Sequence, residues 1–324
     1  MSPLDLIAPN RRPATQAALA AVFGTAPVEA AALSGGASGA QIFRVAANGR
    51  HALLRVEGAP SPLRFPDQYV SWQAASDAGI APPLLYLDAP NGITVSAFVV
   101  QQNLRDYPGG PRALAQAVGE LIRRLQATPR CPAFMPYPEI VERLFAHVRS
   151  TGVFADGVLD PPVEHLARLR SRAPWGAQVS AHNDLNPRNI LFDGVRLWLI
   201  DWESAYRNDP LVDAAIALDN FAATPELEAT LLHAAFGEMP DAARLSDVRS
   251  LTRLYYAGVL LSAVATMPQG APVTELTALT CAQFLAAAQT GALAYGTREM
   301  LLALGKLFLA SFMDGRPVPP LGAV

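Results

Sequence analysis

Between Ala181 and Glu203 lie three side chains whose types and spacing suit the transfer of a phosphoryl group: Asp184, Asn189 and Asp201. Asp193-Gly194 separates two apolar runs and reads as a tight hairpin turn. Folding the chain there is expected to bring Asn189 opposite Asp201, so that an amide oxygen and a carboxylate converge at one end of the hairpin. Hard oxygen donors of this kind suit Mg²⁺, which keeps several waters and is completed by substrate phosphates. Asp184 lies on the loop that enters the hairpin, from where it can accept a hydroxyl proton. Such chemistry asks little covalent help of a protein. It needs in-line positioning, a carboxylate to orient the nucleophile and positive charge on the phosphate oxygens. A capped turn and a hairpin closed by polar residues is the bland alternative for the same three side chains.

A second candidate stands far upstream. The run Ser34-Gly35-Gly36-Ala37-Ser38-Gly39 falls between two strand-like segments. Glycines there would let backbone N–H groups approach phosphate oxygens, with an ordinary turn as the alternative. It is not a P-loop, because no Gly-Lys-Ser/Thr follows it. Lys306 is in fact the only lysine of the chain, and the other Lys/Arg-class charges are all arginine. A GC-rich genome is sufficient cause for that bias.

The elements that must position these groups fall into two parts. Residues 1–100 read as β-rich, with helices over 13–23 and 67–78 and strands over 30–33, 41–46, 52–56, 84–87 and 93–100. Asn48-Gly49 marks a hairpin turn. Residues 101–324 read as mainly helical, over 111–127, 138–150, 161–172, 209–221, 225–236, 241–267, 274–289 and 297–313. Proline stands near the start of the first three. Short strands are expected around Val179, over 190–192 and over 196–200. The expected architecture is α+β, a small β-rich lobe (1–100) and a larger helical lobe (101–324).

The pattern His182-x-Asp184-x-x-x-x-Asn189, followed by Leu199-Ile200-Asp201-Trp202-Glu203 and then Asn208-Asp209-Pro210-Leu211-Val212-Asp213, resembles the aminoglycoside phosphotransferase and choline kinase superfamily. A fainter likeness runs from about Leu33 to the end. The resemblance implies a bilobal protein-kinase-like fold and ATP as phosphoryl donor. It makes Asp184 the catalytic base, Asn189 and Asp201 the Mg²⁺ ligands, Glu203 a further metal contact and His182 a brace of the catalytic loop. Kinases of this fold hold the nucleotide phosphates with a strand lysine. Here Arg55 occupies that strand position, and Leu54-Arg55-x-x-Gly58 is similar to the choline/ethanolamine kinase branch. A guanidinium can do the work, since its fork is always charged and grips phosphate in bidentate fashion. The helix glutamate that should orient this cation is missing, as no glutamate lies between Gly58 and Gly79, which leaves Asp67 or Gln68 for the role.

What would accept the phosphate is read from the second lobe. From Glu203 onward there are 12 acidic against 7 basic side chains. That surplus favours a small cationic hydroxyl compound, although solvated helix faces explain it equally well. Asp213 and Asp219 are candidates to face such an acceptor, with helix capping as the alternative for Asp213. Tyr255 and Tyr256 are candidates for an aromatic wall against an ammonium group, of which one at most should line a pocket. An aminoglycoside, thiamine or sugar kinase of the same fold, or a non-catalytic nucleotide-binding relative, are the competing readings.

Composition narrows the partners. A net charge of −3 with no basic tail gives nucleic acid no electrostatic purchase. Residues 1–12 carry Asp5 and lack a long apolar stretch, and the greasiest segment, 300–313, is interrupted by Lys306. No membrane partner is therefore expected. Cys131 and Cys281 show no ligand-like spacing, so neither a disulfide nor a zinc site is expected, in keeping with a cytoplasmic protein.

Overall fold

The computed structural model describes residues 3–33, 39–58, 65–129, 131–172, 178–268 and 270–321. The chain forms two compact units: residues 1–107 with 189–206, and residues 108–188 with 207–324. The boundary expected after residue 100 assigned the whole hairpin of Asn189 and Asp201 to the helical part. By compactness, that hairpin groups with the β-rich unit.

In the first unit, helix α1 (Arg12–Phe23) precedes strands β1 (Glu29–Leu33), β2 (Gln41–Ala47) and β3 (Arg50–Val56); helix α2 (Gln68–Asp77), β4 (Leu84–Asp88) and β5 (Ile93–Ala97) follow. The five strands make one antiparallel sheet in the order β1-β2-β3-β5-β4. Alternation along β2 and β3 sends Phe43, Val45, Ala52, Leu54 and Val56 into a core shared with Ile93, Val95 and the Ala18–Leu19 face of α1. The central strand, β3, carries Arg55 paired across to Ile42 and Thr94. Any side chain at the end of this strand stands on a support buttressed from both sides.

A hairpin of strands Ile190–Phe192 and Leu197–Leu199 completes the unit. Three-residue strands are too short to hold themselves, so outside bonds fix them. The N–H of Leu199 donates to Ile80 O at 2.9 Å and that of Gln102 to Phe192 O at 2.7 Å. Beyond the hairpin, Phe65 N donates to Glu203 O at 2.9 Å, and Ser71 Oγ to Ala205 O at 2.7 Å.

The second unit holds helices α3 (Gly110–Gln126), α4 (Tyr137–Ser150), α5 (Asp160–Arg172), α6 (Leu211–Phe221), α7 (Pro225–Phe236), α8 (Ala242–Ala265), α9 (Cys281–Gln289) and α10 (Arg298–Asp314). Helix α8 packs against α4, α6 and α10, and α3 packs against α7. The α3–α7 approach needs Gly119, where a Cβ would come within 2.3 Å of Leu231 O. Helix α9 is shorter than the 274–289 expected. Thr280 Oγ accepts from Gln283 N at 3.2 Å while Gln283 Oε1 accepts from Thr280 N at 2.9 Å. This capping box starts the helix at Cys281.

Among the described residues, no helix is long and apolar enough to cross a membrane. Both cysteines are free thiols.

Candidate functional site

In the first unit the chemistry gathers on Arg55. Its Nε donates to Glu57 Oε1 at 2.9 Å, Nη1 to Asp201 Oδ1 at 3.2 Å and Nη2 to Glu203 Oε2 at 3.4 Å. A guanidinium presents five donors in a rigid plane, which is what lets one residue span three carboxylates. The Arg55 side chain is only 10% accessible, against 31% for Asp201 and 29% for Glu203. Burial works against its charge, but Asp201, Glu57 and Glu203 outweigh burial and hold its pKa above the ordinary value.

Glu57 is the residue the sequence reading missed. The expected partner is a helix glutamate, or in its absence Asp67 or Gln68, whereas a carboxylate two residues further along the chain, just past the end of β3, meets the guanidinium. Residues i and i+2 of a strand share a face, so this pairing had a sequence signal.

The hairpin differs in register from expectation. The turn is centred on Gly194-Val195, with Gly194 at φ 95°, and the strands pair Ile190 with Leu199. Ile200 N then donates to Asn189 O at 3.0 Å, so Asn189 lies opposite Ile200 and Asp201 stands one residue beyond. The cause is Asp193, which sits just before the turn and caps it, accepting from the N–H groups of Val195 and Arg196 at 2.8 Å each. Asp201 has left-handed backbone, φ 67° and ψ 65°, and starts the turn Trp202–Ser204. That geometry disfavours any residue with a Cβ.

Asn189, Asp201 and Glu203 offer only oxygen donors suited to Mg²⁺. Arg55, Glu57, Asp201 and Glu203 together carry one positive and three negative charges, a surplus that a divalent cation would offset. Among the described residues no group of three or more His, Cys, Asp or Glu is placed to hold a metal ion by itself. An ion here would draw its remaining ligands from phosphates and water, as Mg²⁺ commonly does. Of the glycine run, Ser34, Gly35, Gly36 and Ser38 lie outside the described residues. Gly39 has left-handed backbone at φ 67°, and its carbonyl lies against Gly58, where a Cβ would meet it at 2.6 Å.

The second unit carries Asp184. Its Oδ1 accepts from Tyr256 Oη at 2.6 Å and from Asn186 Nδ2 at 2.8 Å. Asn186 is itself fixed, its Oδ1 accepting from Arg188 N at 2.9 Å. The preceding residue, Asn183, is left-handed at φ 63°, and its Oδ1 accepts from Asn208 Nδ2 at 2.7 Å.

Asp213 takes a different role from the acceptor contact expected of it. At 1% exposure, it uses both oxygens to accept backbone N–H groups, from His182 and Asn183, each at 2.8 Å. Burial raises its pKa, with those amides and His182 pulling the other way. Asp209, just before α6, accepts from Leu211 N at the start of that helix and pairs with Arg244. The loop of Asp184 is thus tied from behind by one carboxylate of α6.

The remaining acceptor candidates are also engaged. Asp219 accepts from Arg249 Nε at 2.6 Å and from Arg253 at 2.7 and 2.8 Å, so its charge is met by two guanidinium groups. Tyr255 lies against Tyr137 with ring centroids 5.3 Å apart. Tyr256 packs on Phe308 at 5.7 Å and spends its hydroxyl on Asp184.

Residues 29–246 match the model of the phosphotransferase enzyme family. The chain belongs to that family. Among solved structures, this phosphotransferase-family chain is similar to a choline/ethanolamine kinase family protein from Mesorhizobium loti, 20% identical with a TM-score of 0.57, over 94% of this chain and 95% of that one. It is similar also to the choline kinase LicA from Streptococcus pneumoniae, 15% identical, TM-score 0.61, over 81% and 93% of the two chains. A third likeness is to a thermostable mutant of aminoglycoside phosphotransferase APH(4)-Ia in complex with AMP-PNP and hygromycin B, 22% identical, TM-score 0.56, over 76% and 91%. At such identities these likenesses establish the kinase-like α+β fold. A stretch of 66 residues is 39% identical to an uncharacterized protein of Metamycoplasma hominis, spanning 19% of this chain and 13% of that protein.

Proposed function

We propose that this chain transfers the γ-phosphoryl group of ATP, bound with Mg²⁺, to a hydroxyl group of a small molecule in the cytoplasm, with choline- or ethanolamine-like amino alcohols as the leading acceptor class. The observation that carries the reading is the Arg55 clasp. It puts a buried permanent cation, suited to phosphate oxygens, on the two carboxylates Asp201 and Glu203 that suit the metal. Asn189, Asp201 and Glu203 would hold Mg²⁺, which neutralises phosphate charge when bound. Arg55 would turn from the carboxylates toward the nucleotide phosphates and keep its orientation through Glu57. Asp184 would take the proton of the acceptor hydroxyl as its oxygen bonds to phosphorus and the diphosphate leaves.

The support for amino alcohols is the fold likeness to the choline/ethanolamine kinase family protein across nearly both whole chains. The charges of Asp213 and Asp219 no longer argue for a cation, since both are met within the second unit. The likeness to a complex holding hygromycin B keeps an aminoglycoside as the second reading. Non-catalytic nucleotide binding has less behind it than the sequence suggested, because Glu57 stands in for the missing helix glutamate.

The test is ADP release by purified protein with Mg-ATP across choline, ethanolamine, thiamine, aminoglycosides and simple sugars, with Asp184→Asn beside it. Acceptor-dependent release that disappears in the variant is the expected result. Tight Mg-ATP binding without release on any acceptor would leave a nucleotide sensor as the better reading, and no binding would overturn the assignments of Arg55 and Asp201.

A further inference from the structure

Tyr256 entered the sequence reading as part of an aromatic wall for an ammonium group, yet the structure gives its hydroxyl other work. The ring is 9% exposed on α8, the longest helix of the second unit, with Phe308 of α10 on one side and Tyr255 edge-on at 5.7 Å. Its hydroxyl donates to Asp184 Oδ1 at 2.6 Å. The same oxygen receives Asn186 Nδ2 at 2.8 Å. Two donors from different elements, one on the catalytic loop and one on a 24-residue helix, converge on one oxygen of one carboxylate.

A carboxylate turns about its Cβ–Cγ bond, and this torsion is broad. Fixing Oδ1 from two sides fixes where Oδ2 points. We propose that Tyr256 is a positioning residue for phosphoryl transfer, its hydroxyl holding Asp184 Oδ1 so that Oδ2 is the oxygen presented to the acceptor hydroxyl. This inference rests on the reading of Asp184 as the base. In the step it serves, the acceptor O–H proton passes to Oδ2, the acceptor oxygen bonds to the γ-phosphorus, and the bridging oxygen leaves with its electron pair on the diphosphate. Tyr256 keeps its own proton throughout. Burial and the charge of Asp184 both push the phenol's pKa well above its ordinary value, so it remains a donor at any working pH.

The bond also favours the ionised form of the carboxylate, the form a base needs. Asp213 of α6 is a like charge acting on Asp184, with His182 beside Asp213; behind Tyr256 lie the phenols of Tyr137 on α4 and Tyr255 on α8. None of these changes when the Tyr256 hydroxyl alone is removed.

The experiment compares Tyr256→Phe with Asp184→Asn and with Phe308→Leu, which loosens the packing of the Tyr256 ring but keeps its hydroxyl. ADP release is followed with the best acceptor found, or with water as acceptor where none exceeds it. Tyr256→Phe should lower kcat about 10- to 100-fold, the effect of one charge-assisted hydrogen bond. The KM for Mg-ATP should stay within about twofold, and the acid limb of the kcat profile should move to higher pH. Phe308→Leu should lower Tm with kcat and its pH profile nearly unchanged. A Tyr256→Phe enzyme with wild-type kcat and profile would overturn the inference, as would an equal loss of kcat in Phe308→Leu. Full turnover in Asp184→Asn would instead remove the reading of Asp184 on which it rests.

Discussion

The two units solve the problem of holding a carboxylate in opposite ways. In the first, Asp201 and Glu203 are partly exposed and held by a cation, Arg55, that also binds Glu57. In the second, Asp184 is held by neutral donors, a phenol and an amide, and its loop is tied by backbone N–H groups to the buried Asp213. A charge clasp is strong but exchangeable, because a divalent ion or a phosphate can compete for either side of it. A neutral network has nothing to exchange and serves only to fix direction. On the function proposed above, the difference suits a unit whose ligands would come and go and another whose base would have to be aimed. Both place a left-handed residue at the critical point, Asp201 itself and Asn183 just before Asp184. Strain of that kind persists only where the surroundings impose it.

The comparison breaks most sharply if the base and the clasp fail separately. Asp184→Asn should reduce turnover by about 10²- to 10⁴-fold, the usual contribution of a positioned base. Calorimetric binding of Mg-ATP should stay close to wild type. A parallel loss of binding would mean that the two units do not divide labour as described.

Arg55→Ala comes next and should behave in the reverse manner. Removing the guanidinium leaves three carboxylates without the cation they share, so affinity for Mn²⁺ alone, read by its paramagnetic effect on water relaxation, should rise. Affinity for the nucleotide should fall about 10- to 100-fold, as expected when charge-assisted bonds to phosphate are lost. Weaker binding of both would show that Arg55 supports the site's structure and does not exchange with the ion. Glu57→Gln is the milder relative: the amide oxygen still accepts from Arg55 Nε, but the charge is gone. The KM for Mg-ATP should rise about two- to fivefold with kcat unchanged, a loss near the size of an ordinary hydrogen bond.

How far all this could be read from sequence depends on distance along the chain. The placement of Asp184 on a loop in one unit, and of Asn189 and Asp201 at the end of a hairpin in the other, was legible because those signals are local. The hairpin's register was not, because a carboxylate can sit in a turn or just before it, and Asp193 caps from just before. Most strands and helices followed their periodicity; the exceptions are the strand Tyr206–Asn208, which was not expected, the strand from Ile93, which ends at Ala97 and not at residue 100, and the helix that the capping box of Thr280 and Gln283 starts late. The strand position of Arg55 was legible, and its pairing with Glu57 two residues on should have been. What sequence hides is pairing at long range. Nothing near Asp219 announces Arg249 and Arg253, 30 and 34 residues on, and the same holds for the 72 residues from Asp184 to Tyr256. Counting acidic residues as acceptor ligands therefore overstated the charge left over.

The smallest effect should come from Asp193, which tests whether the first unit's hairpin is held by charge at all. Partial burial works against its carboxylate, but the N–H groups of Arg196 and Val195 and the indole of Trp198, donating to Oδ2 at 2.7 Å, outweigh it and lower its pKa. A carboxylate with a depressed folded pKa adds stability above its unfolded value of about 3.9, and that stability is lost as pH falls through the folded pKa. Asp193→Asn should therefore lower Tm by a few degrees near neutral pH, on the order of 1 kcal/mol or less for a largely solvated group. The gap from wild type should begin to close as pH falls below the unfolded value of about 3.9 and close fully only below the depressed folded pKa, where both proteins carry a neutral side chain. If the gap persists at low pH, the cap works through shape and hydrogen-bond count alone, and the first unit depends on charge only at Arg55.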